Sequence, residues 1–185
     1  DFMEKPFNAI EFTLRLGHAR RLMQLDQDRG RGGVDVTTGL ITRGVFIEFL
    51  NVRLAECRRQ KAKGVLMFAA IANYRDTYRR HGYEATIALE AATASALRRS
   101  LRLADLLARI ADGEFCCPLN DAEAADGCAT AYKIVNRAGP ITADYHGLIL
   151  TAQLDIATLS FPQGDLSAED LLLNSGRQQC DDGIE

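Results

Sequence analysis

The sequence lacks three features that mark common functional classes. Its 5 cysteines include no C-x-x-C pair and its 3 histidines lie far apart, so no zinc site is expected. No apolar run reaches the roughly 18 residues of a membrane span, and the longest, residues 64–72, has the length of a strand. Because 22 Lys+Arg face 25 Asp+Glu, the net charge of -3 provides no global basic field for nucleic acid or an acidic membrane.

The cysteine content also bears on the cellular compartment. An odd number of cysteines with no signal peptide favours a cytoplasmic chain with reduced thiols. The 185 residues, 47% hydrophobic and 25% charged, suffice for one ordinary domain with a short surplus. Since the overall charge attracts no anion, any anionic ligand must be bound by a local group of basic residues.

Alternating apolar patterns predict the order of the secondary structure. We expect helices over residues 8–25, 46–63, 83–101 and 121–137, a short helix after Ser167, and strands over residues 65–71, 114–119 and 148–159. Such alternation predicts an α/β or α+β fold with helices packed on a sheet. The polar, glycine-rich stretch before Val34 is typical of a linker. We therefore divide the chain into residues 1–25, a linker over 26–34, and a domain over 35–185.

Two short motifs identify a family resemblance. Residues 35–43 read D-V-T-T-G-L-I-T-R and residues 109–115 read R-I-A-D-G-E-F, with an apolar strand after the second. Residues 70–87 lie between them and keep an apolar spine, the aromatic Tyr74 and the turn glycine Gly82. Together they resemble the GGDEF domain of bacterial diguanylate cyclases. The resemblance implies an α+β fold with a central, mostly antiparallel sheet flanked by helices, here preceded by an N-terminal helix.

The sequence departs from this family at the catalytic positions. In working cyclases the resemblance implies a carboxylate at Ala70 and another in the signature loop, which hold the Mg²⁺ ions that activate the 3′-hydroxyl of one GTP for attack on the α-phosphate of another. Tyr78 and Ile87 replace the side chains that pair with guanine. The altered loop consists of Ala111, Asp112, Gly113, Glu114 and Phe115. We expect no catalytic residue, no metal and no cofactor in this domain.

One ligand-binding motif of the family is retained. Arg102 and Asp105 form an R-x-x-D pattern that resembles the inhibitory site for cyclic di-GMP (c-di-GMP). A guanidinium can donate a bidentate pair of hydrogen bonds to guanine O6 and N7, and a carboxylate can accept from guanine N1 and N2. Lys133 or Arg137 lies where the family has a basic residue on the next helix, and Arg98 could contact phosphate. The alternative is an ordinary ion pair between Arg102 and Asp105.

The N-terminal residues resemble a different module. D-F-M-E-K-P-F, followed by a helix, is similar to the end of a response-regulator receiver domain, as in a cell-cycle regulator that joins a receiver to a GGDEF domain. The alternative is a free helical stalk whose apolar face forms a dimer seam, so a homodimer remains a possible state of the protein.

For the function of the chain, we expect an inactive c-di-GMP receptor that relays the bound state to a protein partner. Alternatives are a ligand-independent adaptor and a residual enzyme or GTP sensor.

Overall fold

The computed structural model describes residues 33–102, 105–119, 127–173 and 178–180. The N-terminal helix expected over residues 8–25 and most of the linker lie outside these residues. None of the helices in the described ranges is long and apolar enough to cross a bilayer.

Eight strands and five helices make up the described part of the chain. They are β1 (Ile41–Thr42), α1 (Arg43–Gln60), β2 (Gly64–Ile71), α2 (Tyr74–His81), α3 (Tyr83–Ser100), β3 (Ala108–Ala111), β4 (Glu114–Leu119), α4 (Gly127–Ala138), β5 (Thr142–Tyr145), β6 (Leu148–Thr151), β7 (Leu154–Phe161), α5 (Ala168–Leu173) and β8 (Gln178–Gln179).

Six of the strands form one sheet in the order β1-β3-β4-β2-β7-β8, and β5 pairs with β6 in a separate hairpin. The β1 and β3 strands are parallel, whereas the other neighbours in the main sheet are antiparallel. Helices cover both faces of this sheet. The architecture is therefore α+β with a mostly antiparallel sheet, and the expected fold class is confirmed.

The central strand β2 contributes to a hydrophobic core on each face of the sheet. Its Val65 and Met67 pack with residues of α3 and α4. The alternate positions Leu66 and Phe68 pack with residues of α1 and α5 on the opposite face. Because side chains of a strand alternate between faces, a strand covered on both sides reads as a continuous apolar run. This is why β2 was recognisable in the sequence.

The expected strand over residues 148–159 is wrong in its extent. The structure divides it into β6 and β7, and β5 precedes them as the other half of a hairpin. The break lies at Ala152 and Gln153, where the Ala152 N–H donates to Ile141 O and the Gln153 carbonyl accepts from Ala72 N–H. These bonds come from other segments, so no local pattern marks the break. The helix expected over 121–137 begins at Gly127 within the described residues, and residues 120–126 lie outside them.

Two cysteines differ from expectation. Cys128 of α4 and Cys180, which follows β8, form a disulfide, whereas the sequence predicted reduced thiols throughout. They are 52 residues apart and meet only because α4 and β8 both lie beside β7, which linear spacing cannot reveal. Cys57, Cys116 and Cys117 are free and buried. Burial raises the pKa of the Cys117 thiol, so this thiol stays protonated and unreactive.

Candidate functional site

The first motif folds into a turn before α1. Asp35 Oδ1 accepts hydrogen bonds from Thr38 N–H at 2.9 Å and from Thr38 Oγ1 at 2.7 Å. Gly39 N–H donates to Asp35 O, and Gly39 has a φ of 67°, which an L side chain rarely adopts. The turn leaves Asp35 Oδ2 3.6 Å from Arg109 Nη1. The first residue of one motif therefore contacts the first residue of the other.

Arg109 lies at the centre of an acidic cluster. Its Nη2 is 3.2 Å from Glu90 Oε1 and 2.7 Å from Asp112 Oδ1, in addition to the Asp35 contact. Burial alone lowers the pKa of Arg109, but the carboxylates of Glu90, Asp35 and Asp112 outweigh it and the pKa is raised. The guanidinium thus stays charged and balances carboxylates from the entry turn, α3 and the signature loop.

Glu90 joins α3 to the signature loop. Its side chain is only 2% exposed, and its Oε1 accepts from both Arg109 and the backbone N–H of Gly113. A carboxylate buried to this degree requires such partners, since an unpaired buried charge is very costly. The contact holds the turn of the β3–β4 hairpin against the helix.

Tyr74 packs on the opposite side of the same turn. Gly113 has a φ of 71°, and a Cβ at this position would lie 2.7 Å from Tyr74 Cδ2. Burial raises the pKa of the Tyr74 phenol, a hydrogen bond with Thr86 opposes the shift, and the negative charges of Glu90 and Asp112 add to it. The tyrosine is therefore neutral at physiological pH, and its ring leaves no room for a side chain at position 113.

The position expected to hold a metal carries no carboxylate. Ala70 pairs with Glu114 of β4 and with Asp155 of β7, so a methyl group separates two acidic residues on one face of the sheet. Mg²⁺ prefers an octahedral set of oxygen ligands. Within the described ranges, no group of three or more metal-ligating side chains exists. The residues at this end of β2 therefore do not fit the Mg²⁺ ions that the family resemblance implies.

The two positions expected to have lost guanine recognition lie on neighbouring helices. Tyr78 is exposed on α2, and Ile87 is half-buried on α3. Ile87 has no polar side-chain atom, and Tyr78 has a single hydroxyl, which cannot make the two-point pairing of an amide or a carboxylate with a guanine edge. The two helices contact each other.

The R-x-x-D residues form a turn directly after α3. Arg102 N–H donates to Asp105 Oδ2 at 2.9 Å, and Asp105 N–H donates to Arg102 O at 3.1 Å. Arg102 is exposed and Asp105 is partly exposed. The backbone of Arg102 thus orients the Asp105 carboxylate, and both side chains lie at the surface.

Two further basic residues lie at the C-terminal end of α3. Arg98 Nη1 donates to Asp105 O at 2.8 Å, and Arg137 Nη1 of α4 donates to Ser100 O at 3.2 Å. Lys133 is exposed one helical turn before Arg137. Arg99 is different, because its Nη1 donates to Ser95 Oγ at 2.6 Å on its own helix. The structure therefore brings Arg98 to the turn and Arg137 to the last residue of α3, and it gives Arg99 another partner.

Sequence reasoning missed Glu90 and Asp155. Asp155 became relevant only through its pairing with Ala70 across β2 and β7. Glu90 had a visible signal, since it is the one charged residue between Glu84 and Arg98 in an alanine-rich helix. A lone carboxylate amid apolar residues indicates a buried partner.

Comparisons with known proteins agree with this geometry. The family model described as "Diguanylate cyclase, GGDEF domain" matches residues 33–178. A search of curated protein sequences found no significant match.

Several solved structures share the fold. The GGDEF domain of PA1120 (TpbB or YfiN) from Pseudomonas aeruginosa is 24% identical, with a TM-score of 0.66 and coverage of 77% of this chain and 83% of that one. The GGDEF domain of DgcB from Caulobacter crescentus, in complex with c-di-GMP, is 17% identical at a TM-score of 0.65, covering 76% and 81%. The diguanylate cyclase SiaD from Pseudomonas aeruginosa, in complex with its activator SiaC, is 19% identical at a TM-score of 0.66, covering 91% and 70%.

Proposed function

The chain belongs to the GGDEF domain family, whose members are normally diguanylate cyclases, and we propose that it is a catalytically inactive member that binds c-di-GMP at Arg102 and Asp105. The observation that carries this proposal is that Asp105 and the side chains of Arg98 and Arg137 lie together where α3 ends. The domain would transmit its ligand-bound state to a protein partner. No covalent step is part of this function.

The proposed loss of catalysis rests on three positions. Ala70 and Gly113 carry no carboxylate for a metal, and Tyr78 has a single hydroxyl where two-point pairing with a guanine edge needs two polar atoms. Phosphoryl transfer depends on positioned cations that stabilise the developing charge, so loss of these ligands removes most of the transition-state stabilisation. We expect no cyclic dinucleotide after incubation with GTP and either Mg²⁺ or Mn²⁺.

The proposed binding site has the chemistry that a guanine dinucleotide requires. The Arg102 guanidinium can read guanine O6 and N7, and the Asp105 carboxylate can accept from N1 and N2 of the same base. Arg98 and Arg137 bring positive charge for the phosphates, and Lys133 adds a charge one turn away on α4. The chain carries a net charge of -3, so this local cluster, and not the overall field, would attract the dianionic ligand.

The relay to a partner would follow from a shift in population. A ligand that binds one arrangement of the domain better than another stabilises that arrangement by its difference in affinity. Among the relatives, the DgcB domain was solved with c-di-GMP and SiaD with its protein activator SiaC. From the resemblance of the N-terminal residues to a receiver domain, we further propose that residues 1–25 are the end of such a domain and residues 26–34 a linker. The chain would then take part in cytoplasmic two-component signalling, including control of the cell cycle.

Calorimetric titration with c-di-GMP, GTP and GDP in parallel tests the proposal. We expect saturable binding of c-di-GMP alone, and its loss in Arg102→Ala. Unchanged c-di-GMP affinity in that variant would reject the site assignment. Tight GTP binding, or formation of a cyclic dinucleotide, would instead favour the residual enzyme or GTP sensor.

A ligand-independent adaptor is the second candidate, and the β5–β6 hairpin favours it. Leu148 and Ile149 of β6 are 43% and 61% exposed, and exposed aliphatic side chains of this kind can contribute to a protein-binding surface. Purified domain that binds no c-di-GMP at high micromolar ligand but still captures its partner would support the adaptor.

A further inference from the structure

We propose that the buried Glu90 carboxylate locks the signature loop onto α3. Carboxylates introduced at positions 70 and 113, where the family has them, would therefore not restore a metal site. The lock consists of Glu90, Arg109, Gly113 and Tyr74. This inference deepens the proposed loss of catalysis but does not depend on c-di-GMP binding. It concerns a contact inside the domain, which can be measured without any nucleotide.

The first part of the lock is a satisfied backbone donor. Gly113 N–H lies at the tip of the β3–β4 hairpin and donates to Glu90 Oε1. A buried N–H makes one strong hydrogen bond. With Glu90 in place, this donor is therefore not available to an oxygen of an external anion.

The second part is an internal cation. The Arg109 guanidinium lies within 3.6 Å of Asp35, 3.2 Å of Glu90 and 2.7 Å of Asp112. It therefore already balances the charges of these three carboxylates. Glu90 cannot turn towards a metal without leaving Gly113 N–H unpaired in the interior, and an unsatisfied buried group is strongly disfavoured.

The third part is steric. The left-handed φ of Gly113 and the Tyr74 ring, 2.7 Å from a hypothetical Cβ, both oppose any side chain at position 113. An aspartate introduced there would have to displace the Tyr74 ring, whose phenol interacts with Thr86 of α3. Gly113 thus packs against Tyr74 of α2 and is hydrogen-bonded to Glu90 of α3, so the loop connects the hairpin to both helices.

Hydrogen exchange of the Gly113 amide, followed by NMR in the ligand-free protein, tests the lock. We expect slow exchange in the wild type, acceleration of at least about tenfold in Glu90→Leu, and a smaller effect in Glu90→Gln, which keeps an acceptor. Asp112→Asn is the matched control, because it removes a carboxylate from the same guanidinium but does not touch Gly113 N–H. Exchange of the Met67 amide in β2 serves as the reference for global stability.

Fast exchange of Gly113 in the wild type would overturn the lock without any variant. Equal effects of Glu90→Leu and Asp112→Asn on Gly113 exchange, after correction by the Met67 reference, would also overturn it.

A second measurement uses Mn²⁺ as a probe of the double variant Ala70→Asp/Gly113→Asp. We expect no Mn²⁺ binding by calorimetry, and saturable binding would overturn the proposal. These results leave the c-di-GMP titration untouched, so the two proposals fail separately.

Discussion

Asp35 Oδ2 lies 3.6 Å from Arg109 Nη1, which connects the entry turn to the strand that carries the signature. The two residues are far apart in sequence, and each begins one of the motifs by which the family was recognised. Arg109 also contacts Glu90 on α3. The contact thus helps to fix the turn, the helix and the hairpin relative to one another.

Substitution of Asp35 is expected to destabilise the fold. Asp35→Ala removes two hydrogen bonds to Thr38 and the contact with Arg109, which we expect to lower the free energy of unfolding by about 1–3 kcal/mol. Urea unfolding measures this. Asp144→Ala is the control, because Asp144 lies in an exposed hairpin turn, where its side chain accepts a hydrogen bond from Gly147 N–H. An equal or larger loss in the control would contradict the role of Asp35.

Gly113 is expected to tolerate no side chain. Gly113→Ala should lower the free energy of unfolding, and with it the melting temperature. The positive φ is expected to cost about 1–2 kcal/mol, and overlap with the Tyr74 ring about 1–3 kcal/mol more. Gly139→Ala is a matched control, since Gly139 has a φ of 67° but nothing within 4 Å of a Cβ. Equal melting temperatures for the two variants would show that Tyr74 does not constrain position 113.

The disulfide makes a redox-dependent contribution to stability. Linking residues 52 apart restricts the unfolded chain, so reduction is expected to lower the free energy of unfolding by about 2–4 kcal/mol. Urea unfolding with and without dithiothreitol measures the difference, and Cys128→Ser/Cys180→Ser should show none. A thiol assay on the denatured, unreduced wild type should find only Cys57, Cys116 and Cys117 free. Five reactive thiols would contradict the bond.

The environment of Tyr74 predicts a pH dependence at alkaline pH. Its pKa is raised above the ordinary value of 10.0, chiefly by burial. The stability associated with the neutral phenol is therefore fully present below pH 10.0 and is lost as the pH rises through the raised pKa. NMR titration should show the Tyr74 phenol ionising above pH 10.0. Ionisation of Tyr74 at or below pH 10.0 would contradict its burial against Gly113.

The sequence revealed features that depend on local pattern. The alternating patterns, including the apolar run of β2, predicted helices packed on a sheet, because they record burial in adjacent residues. The mostly antiparallel sheet was implied by the resemblance of the D-V-T-T-G-L and R-I-A-D-G-E-F motifs to the family. Features made by distant segments were not visible. The Cys128–Cys180 disulfide arises from the meeting of α4 with the residues after β8, and Glu90 acquires its role only when α3 packs under the hairpin.

The central proposal concerns Arg102, and the chain supplies its own control. Arg99 and Arg102 are both exposed arginines at the end of α3, so replacing either by alanine changes the net charge equally. Arg99 donates to Ser95 on its own helix, however, whereas the Arg102 backbone orients Asp105. An effect of net charge on c-di-GMP affinity would therefore appear in both variants, whereas a loss of guanine recognition would appear only in Arg102→Ala.

Calorimetric titration of c-di-GMP into the wild type, Arg102→Ala and Arg99→Ala is the most direct measurement. We expect saturable binding in the wild type, a loss of about tenfold or more in Arg102→Ala for a missing bidentate contact, and less than about threefold in Arg99→Ala for a screened surface charge. No binding by the wild type, or equal losses in the two variants, would contradict a c-di-GMP receptor that reads guanine through Arg102.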